Sequence, residues 1–263
     1  MSSDRLVQTD DLTAAAWIAP RLGAFASGVG GVIPAGFEAY ARILHPADSA
    51  DEHVRWSEVA AACGKVAHAL MQFHTLVGVG PTEYDVDSAA WTGSVPDQGD
   101  LEPESLAALL DVLARHTASV QQCWFGVWEG CGWLPGGTRV TFVAAPDGPL
   151  PPAPADRHLA AIDYDARVEL PQRNYLLFSG PLNAALEIGD WPTPEWFLPH
   201  SPNLMWPDDV SWCVATEIDL FCTYVGGSRA LIDDLLADER LEGWEAHLDD
   251  PVAYDSDLLN EDR

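Results

Sequence analysis

Residues 119–129 read SVQQCWFGVWE. Two sets of side chains alternate along them: Val120, Gln122, Trp124, Gly126 and Trp128 on one side, Gln121, Cys123, Phe125 and Val127 on the other. A period of two with aromatic enrichment marks a β-strand, so the middle of the chain belongs to a sheet. Residues 130–137 read as a turn, and 138–144 (TRVTFVA) as the antiparallel partner of that strand. Toward the N-terminus, 36–44 (GFEAYARIL) suits a second strand, which His45-Pro46 ends because the residue before proline is driven out of helical backbone. Val59, Ala62, Cys63, Val66, Leu70 and Phe73 recur at three and four, which predicts an amphipathic helix over 57–73. A long surface connection fills 78–100, and a further helix starts at Pro103 with Leu106, Leu109, Leu110 and Leu113 on one face.

Toward the C-terminus, 146–154 holds five prolines in nine residues and reads as a surface loop. A short buried strand at 174–179 precedes a brief helix at 181–188 that Gly189 closes. Trp191, Trp196, Phe197 and Trp206 lie among five prolines in 190–209, which suits an irregular loop pinned by large rings. Residues 210–220 alternate as a strand, and Gly226-Gly227-Ser228 reads as a turn whose serine caps a helix over 229–237. Strands and helices mix without regular βαβ alternation, and no internal repeat is visible. The expected class is α+β, a mainly antiparallel sheet packed against several helices. Residues 1–248 are expected to form a single domain with the Pro-rich loop at 146–154, and 249–263 a weakly packed acidic C-terminal tail.

Composition narrows the partners. Forty-one acids against 13 bases give the 263-residue chain a formal charge of −28, and Lys65 is the sole lysine. With 48% hydrophobic residues and 11 tryptophans the chain is no disordered acidic polymer. It has no basic cluster for a phosphate backbone or an anionic membrane, so neither nucleic acid nor membrane is an expected partner. The apolar run over 12–37 is interrupted by Pro20, Pro34 and several glycines and reads as globular structure rather than a leader or a membrane span. Five widely spaced cysteines (Cys63, Cys123, Cys131, Cys213 and Cys222), without a Cys-x-x-Cys pair, read as reduced buried thiols in a cytoplasmic protein. Residues 1–131 carry 17 acids and 6 bases, 132–230 carry 12 and 5, and 231–263 carry 12 and 2. The excess is thus spread along the chain and densest at its end.

Three constellations are candidates for chemistry. Asp208 and Asp209 lead into a strand with Glu217 and Asp219, followed by Tyr224. Two carboxylates two residues apart share a strand face and suit a divalent cation or an acid and base pair, although the solvent face of an edge strand is the favoured explanation of Glu217 and Asp219. Arg42, His45, Arg55 and Trp56 suit a clamp for a carboxylate or phosphate, or else pairing with the chain's own surplus acids. Trp124, Trp128, Trp133, Trp191, Trp196 and Trp206 suit either a hydrophobic binding patch or core. His68, His74 and His116 read as structural residues at helix ends. No histidine pair has metal-ligand spacing, no nucleophile elbow occurs, and the Gly-Gly-Ser turn lacks Walker spacing, so no metal and no cofactor is expected.

The strings GFEAYARILHPA (36–47), RWSEVA (55–60), CWFGVWEG (123–130), WPDDVSWCVATEIDL (206–220) and TYVGGS (223–228) resemble a family of uncharacterised actinobacterial proteins. One lysine among 12 arginines fits the codon bias of a high-GC genome. The resemblance implies a source and no activity. The expected function is a cytoplasmic, non-catalytic module that binds a protein, most plausibly a basic one, through Trp206, Asp208, Asp209, Glu217, Asp219, Tyr224, Arg42 and His45, an immunity or antitoxin-like role being one concrete form of it. The alternative expectation is a metal-dependent hydrolase or small-ligand protein using Asp208, Asp209, Glu217 and Asp219.

Overall fold

A computed structural model describes residues 6–49, 52–80, 91–134, 162–193 and 195–260. The expected strand at 138–144 and the Pro-rich stretch at 146–154 lie outside the described residues. In chain order the strands are β1 (Val7–Gln8), β2 (Ala39–Leu44), β3 (Ala47–Ser49), β4 (Glu52–Val54), β5 (Cys123–Trp128), β6 (Arg167–Leu170), β7 (Arg173–Gly180), β8 (Gly189–Thr193), β9 (Trp196–Pro199), β10 (Leu204–Pro207), β11 (Cys213–Thr216), β12 (Cys222–Gly227) and β13 (Gly243–Ala246). The α-helices are α1 (Trp56–Ala62), α2 (Phe73–Val77), α3 (Pro103–Leu113) and α4 (Arg229–Ala237).

The main sheet runs β1-β7-β5-β10-β11-β12-β2-β13, with β6 also on β7. Every pairing in it is antiparallel. β3 with β4 and β8 with β9 form two small hairpins beside it. The molecule is thus a mostly antiparallel, sheet-rich fold with a few helices. Both edges of β5 are taken, by β7 and by β10, so the partners of the 119–129 strand come from farther along the chain than residues 138–144.

Antiparallel sheets commonly leave one face to water; this one is covered on both. Ala41 and Ile43 of β2, Phe125 of β5, Phe178 of β7, Met205 of β10 and Val225 of β12 share a core with Leu109 and Leu113 of α3 and Leu231 and Leu235 of α4. Tyr40, Leu177, Leu204, Trp206, Cys213 and Tyr224 point the other way, into a core with Trp56 and Val59 of α1, Phe73 and Leu76 of α2, and Ile18 and Ile33 of the N-terminal segment. Successive strand residues point to opposite faces, so an alternating strand between two apolar layers is apolar at nearly every position. β2, β10, β11 and β12 are buried throughout.

Several expectations are corrected. The helix over 57–73 stops at Ala62, where Gly64 adopts φ +68° and the Lys65 amide donates back to the Ala60 carbonyl, a left-handed cap. Val66 lies beyond that cap and is exposed. The loop over 190–209 contains three strands: Pro199 and Pro207 end β9 and β10, Pro192 lies in the short β8, and Pro202 lies in the link between β9 and β10. Gly226 and Gly227 are not a turn but the last residues of β12. A Cβ on Gly226 would come within 2.7 Å of the Phe37 ring and 2.8 Å of the Tyr40 ring.

Beyond His247 the chain is anchored at particular residues, while Tyr254, Leu258 and Leu259 are exposed. The Val29 and Gly30 amides donate to the carbonyls of Asp250 and Leu248, and Asp257 is 1% exposed. Asp257 accepts from His68 Nε2 at 2.8 Å, from the Gln72 amide at 3.2 Å and from the Asn260 amide at 3.0 Å. Asn260 grips Val66 through both its backbone groups, accepting from the amide and donating to the carbonyl.

Candidate functional site

The expected carboxylate cluster divides in two. Asp208 accepts from Trp124 Nε1 at 3.3 Å, and Asp209 accepts from Thr117 Oγ1 at 2.7 Å and the Ala118 amide at 2.9 Å, both at the end of β11 where Cys213 begins. Glu217 and Asp219 follow the other end of that strand and both hold Arg173, at 2.7 and 2.6 Å. At about 3.3 Å per residue, β11 alone keeps the two pairs roughly 10 Å apart. They are not one acid and base set. Arg173 satisfies Glu217 and Asp219 and lies over the rings of Phe25 and Trp128. Burial tends to raise the Asp209 carboxyl, but hydrogen bonds from Ser211, Thr117 and Ala118 outweigh it and hold the group below the usual carboxylate range. Among the described residues no group of three or more His, Cys, Asp and Glu side chains is arranged to hold a metal ion.

Arg42, His45 and Trp56 do come together, but inside the protein. Arg42 points from β2 into the α1/α2 core, donates to the carbonyls of Ala69 (2.8 Å) and Met71 (3.0 Å), and lies over the Trp56 ring. The pairing of Arg42 with surplus carboxylates is therefore corrected: its hydrogen-bond partners are backbone oxygens. Trp56 Nε1 donates to the His45 carbonyl at 2.7 Å. Arg55 turns outward and donates to the Glu239 carbonyl. Tyr224 is buried beside Arg42, and burial lifts its phenol well above the usual value. Trp206, edge-on to Trp17 at 6.1 Å, is core.

His45 sits at the end of a one-way hydrogen-bond relay. Its Nδ1 is 2.6 Å from the Asp97 carbonyl, which can only accept, so Nδ1 carries the proton. Burial pushes the ring pKa down to about 4, keeping it neutral, and Nε2 therefore accepts from Thr223 Oγ1 at 3.0 Å. Thr223 must in turn accept from Thr216 Oγ1 at 2.8 Å. All three side chains are buried, so the relay staples β2, β12 and β11 together rather than serving a substrate.

No family model, curated protein or solved structure matches the chain.

The remaining rings and thiols are mostly structural. Trp124 and Trp128 pack, partly buried, on the α1/α2 side of the sheet. Trp133 stacks on His200 at 5.0 Å, Trp191 meets Phe197 at 5.2 Å, and Trp196 is exposed. His116 pairs with Asp234 and His68 with Asp257, while His74 packs edge-on against Phe221. With α1 ending at Ala62, His68 is not at a helix end. The five cysteines are free thiols; burial lifts Cys123 and Cys131 to about 12, and Cys213 higher still.

The sequence reading missed a cavity of about 350 Å³ between the β3–β4 hairpin, the start of α3 and the turn before β13. His53, Arg55, Glu104, Ser105, Glu239 and Glu242 line it. Glu102 caps α3, accepting from the Glu104 and Ser105 amides at 2.6 Å each, and Glu242 accepts from the first amides of α1 at 2.5 and 2.9 Å. These residues lie up to 189 positions apart and share no motif, so only the α3 cap left a trace in the sequence. Among the described residues no helix is long and apolar enough to cross a membrane.

Proposed function

We propose that the protein is a non-catalytic binding module of the α+β class whose partner is a basic protein, an immunity-like role in the reducing cytoplasm. The disposition of its cations carries this reading. Among the described residues, Arg115, Arg167, Arg173, Arg229 and Arg240 each hold a carboxylate of the same chain. Arg42, Arg55 and Lys65 donate to backbone carbonyls, and Arg21 lies over Trp17. The formal −28 is therefore not relieved by a basic patch on the described surface. A field of one sign speeds encounter with a cationic surface and repels phosphate backbones. The five free cysteines, three of them buried, and the arginine-over-lysine bias support the cytoplasm of an actinobacterium as the setting.

Affinity capture from native lysate at low salt tests the reading. The expected result is a basic protein that is retained at low ionic strength and released as added salt shortens the screening length from about 30 Å at 0.01 M to about 8 Å at 0.15 M. Retention of abundant proteins alone, indifferent to salt, would overturn it.

A further inference from the structure

The cavity beside α3 has the walls of a receptor for an extended cation. Of its glutamates, Glu102 and Glu242 are engaged with helix amides, whereas the side chains of Glu104 and Glu239 are exposed and make no hydrogen bond or ion pair among the described residues. Ser105 is 8% exposed and lines the cavity, and among the described residues its hydroxyl has no hydrogen-bond partner. That hydroxyl is not shut off from water, so it is open to a donor that enters from the cavity. Of the two arginines of the lining, Arg240 holds Asp111 and Asp238, and Arg55 donates to the backbone carbonyl of Glu239, which leaves the Glu239 carboxylate to a ligand. With His53 counted as neutral, four glutamates against two arginines give the lining a formal charge of −2. Leu44, Pro46 and Val54 supply an apolar strip between the charged groups.

Resting on the reading of a basic protein partner, we propose that this cavity receives an arginine side chain of that partner. Its guanidinium lies between the Glu104 and Glu239 carboxylates and donates an N–H to the Ser105 hydroxyl, while its methylene stem covers Leu44, Pro46 and Val54. Two carboxylates and a hydroxyl around one opening require several donors fixed in a plane, which guanidinium has and ammonium lacks. An amphipathic stem with a charged tip matches an apolar strip with a charged mouth.

Titration of the full chain with agmatine, a guanidinium on a four-carbon stem, followed by amide NMR, tests the proposal. Saturable shifts centred on Glu104, Ser105 and Glu239 are expected. The E104Q/E239Q double variant should weaken agmatine at least fivefold, Ser105→Ala about twofold, and the exposed control Asp249→Asn less than twofold. Butylamine should bind more weakly than agmatine. A blocked peptide with one central arginine should bind more tightly than agmatine if the side chain comes from a protein; the reverse order would overturn the partner assignment in favour of a free small cation. Shifts that spread over the acidic surface without saturating, or that E104Q/E239Q leaves unchanged, would overturn the socket. The socket and the broader reading separate cleanly: a basic protein captured equally by wild type and E104Q/E239Q refutes the socket alone, whereas no capture by either refutes the partner.

Discussion

His45 shows how one buried residue sets a pH dependence. Its ring has a pKa of about 4 in the fold against 6.5 in the open chain, because burial disfavours the imidazolium. Between those values the unfolded chain binds a proton that the folded one refuses, so stability falls as pH drops from 6.5 to 4 and levels off below. The loss is about 3 kcal/mol, from roughly 1.4 kcal/mol per pKa unit. The depressed carboxyls, Asp209, Asp238 and Asp257, act in the same direction but only at lower pH. Urea unfolding of wild type and His45→Asn across pH 4–8 separates the two groups of residues: the wild-type advantage should be largest above pH 6.5 and shrink toward pH 4. Parallel curves would show that His45 is not the titrating group. The sequence marks this residue only as a neighbour of Arg42, Arg55 and Trp56 and not as a buried relay, since Thr216 and Thr223 are brought to it by the pairing of β2, β12 and β11 and Asp97 by a distant connection.

At the scale of elements, what the sequence made legible was whatever is decided locally. Leu106, Leu109 and Leu113 with Pro103, and Ser228 before Arg229, predict α3 and α4, and the structure has both, Ser228 Oγ capping the Leu231 amide at 3.2 Å. The alternation around Phe125 likewise marks β5. Where a distant residue decides, the local pattern misleads. Val66 and Leu70 continue the helical spacing of α1, yet Gly64 turns the chain and Asn260 holds it open. The prolines of 190–209 suggest a loop, yet strands form because β5 and β11 supply the hydrogen bonds on either side of β10. The candidate site fared worst, since Asp209 and Glu217 are near in sequence and separated by a whole strand in space. Gly226 gives a test of element packing. Gly226→Ala should cost on the order of 1–3 kcal/mol, the usual penalty for overfilling a packed site, because the Phe37 and Tyr40 rings face the new methyl. Gly227→Ala, which meets the flexible end of Leu231, should cost less. Equal costs in denaturant unfolding would refute this account.

For the whole molecule, residues 248–260 act as a strap from the N-terminal segment to the chain after α1. Burial alone would raise the Asp257 carboxyl, but hydrogen bonds from Asn260, His68 and Gln72 outweigh it and hold the group below its usual range. Asp257→Ala removes several charge-assisted bonds at once and should destabilise by roughly 2–4 kcal/mol. It should also raise amide exchange at Val66 and Gln72 before the sheet opens. Uniform exchange throughout would show that the strap is not a separate unit. The acidic character of this segment was plain from composition; the burial of Asp257 was not, because charge counting does not see a partner 189 residues away. The sheet order has a further consequence, for synthesis. β2 is completed by residue 44, but its two neighbours, β12 and β13, begin at 222 and 243. At about 5–20 residues per second, the ribosome holds an apolar AYARIL segment without either neighbour for on the order of ten seconds or more. Such distant pairings also make folding slow. The nascent chain should therefore depend on a chaperone that shields residues 39–44 until the last strands emerge.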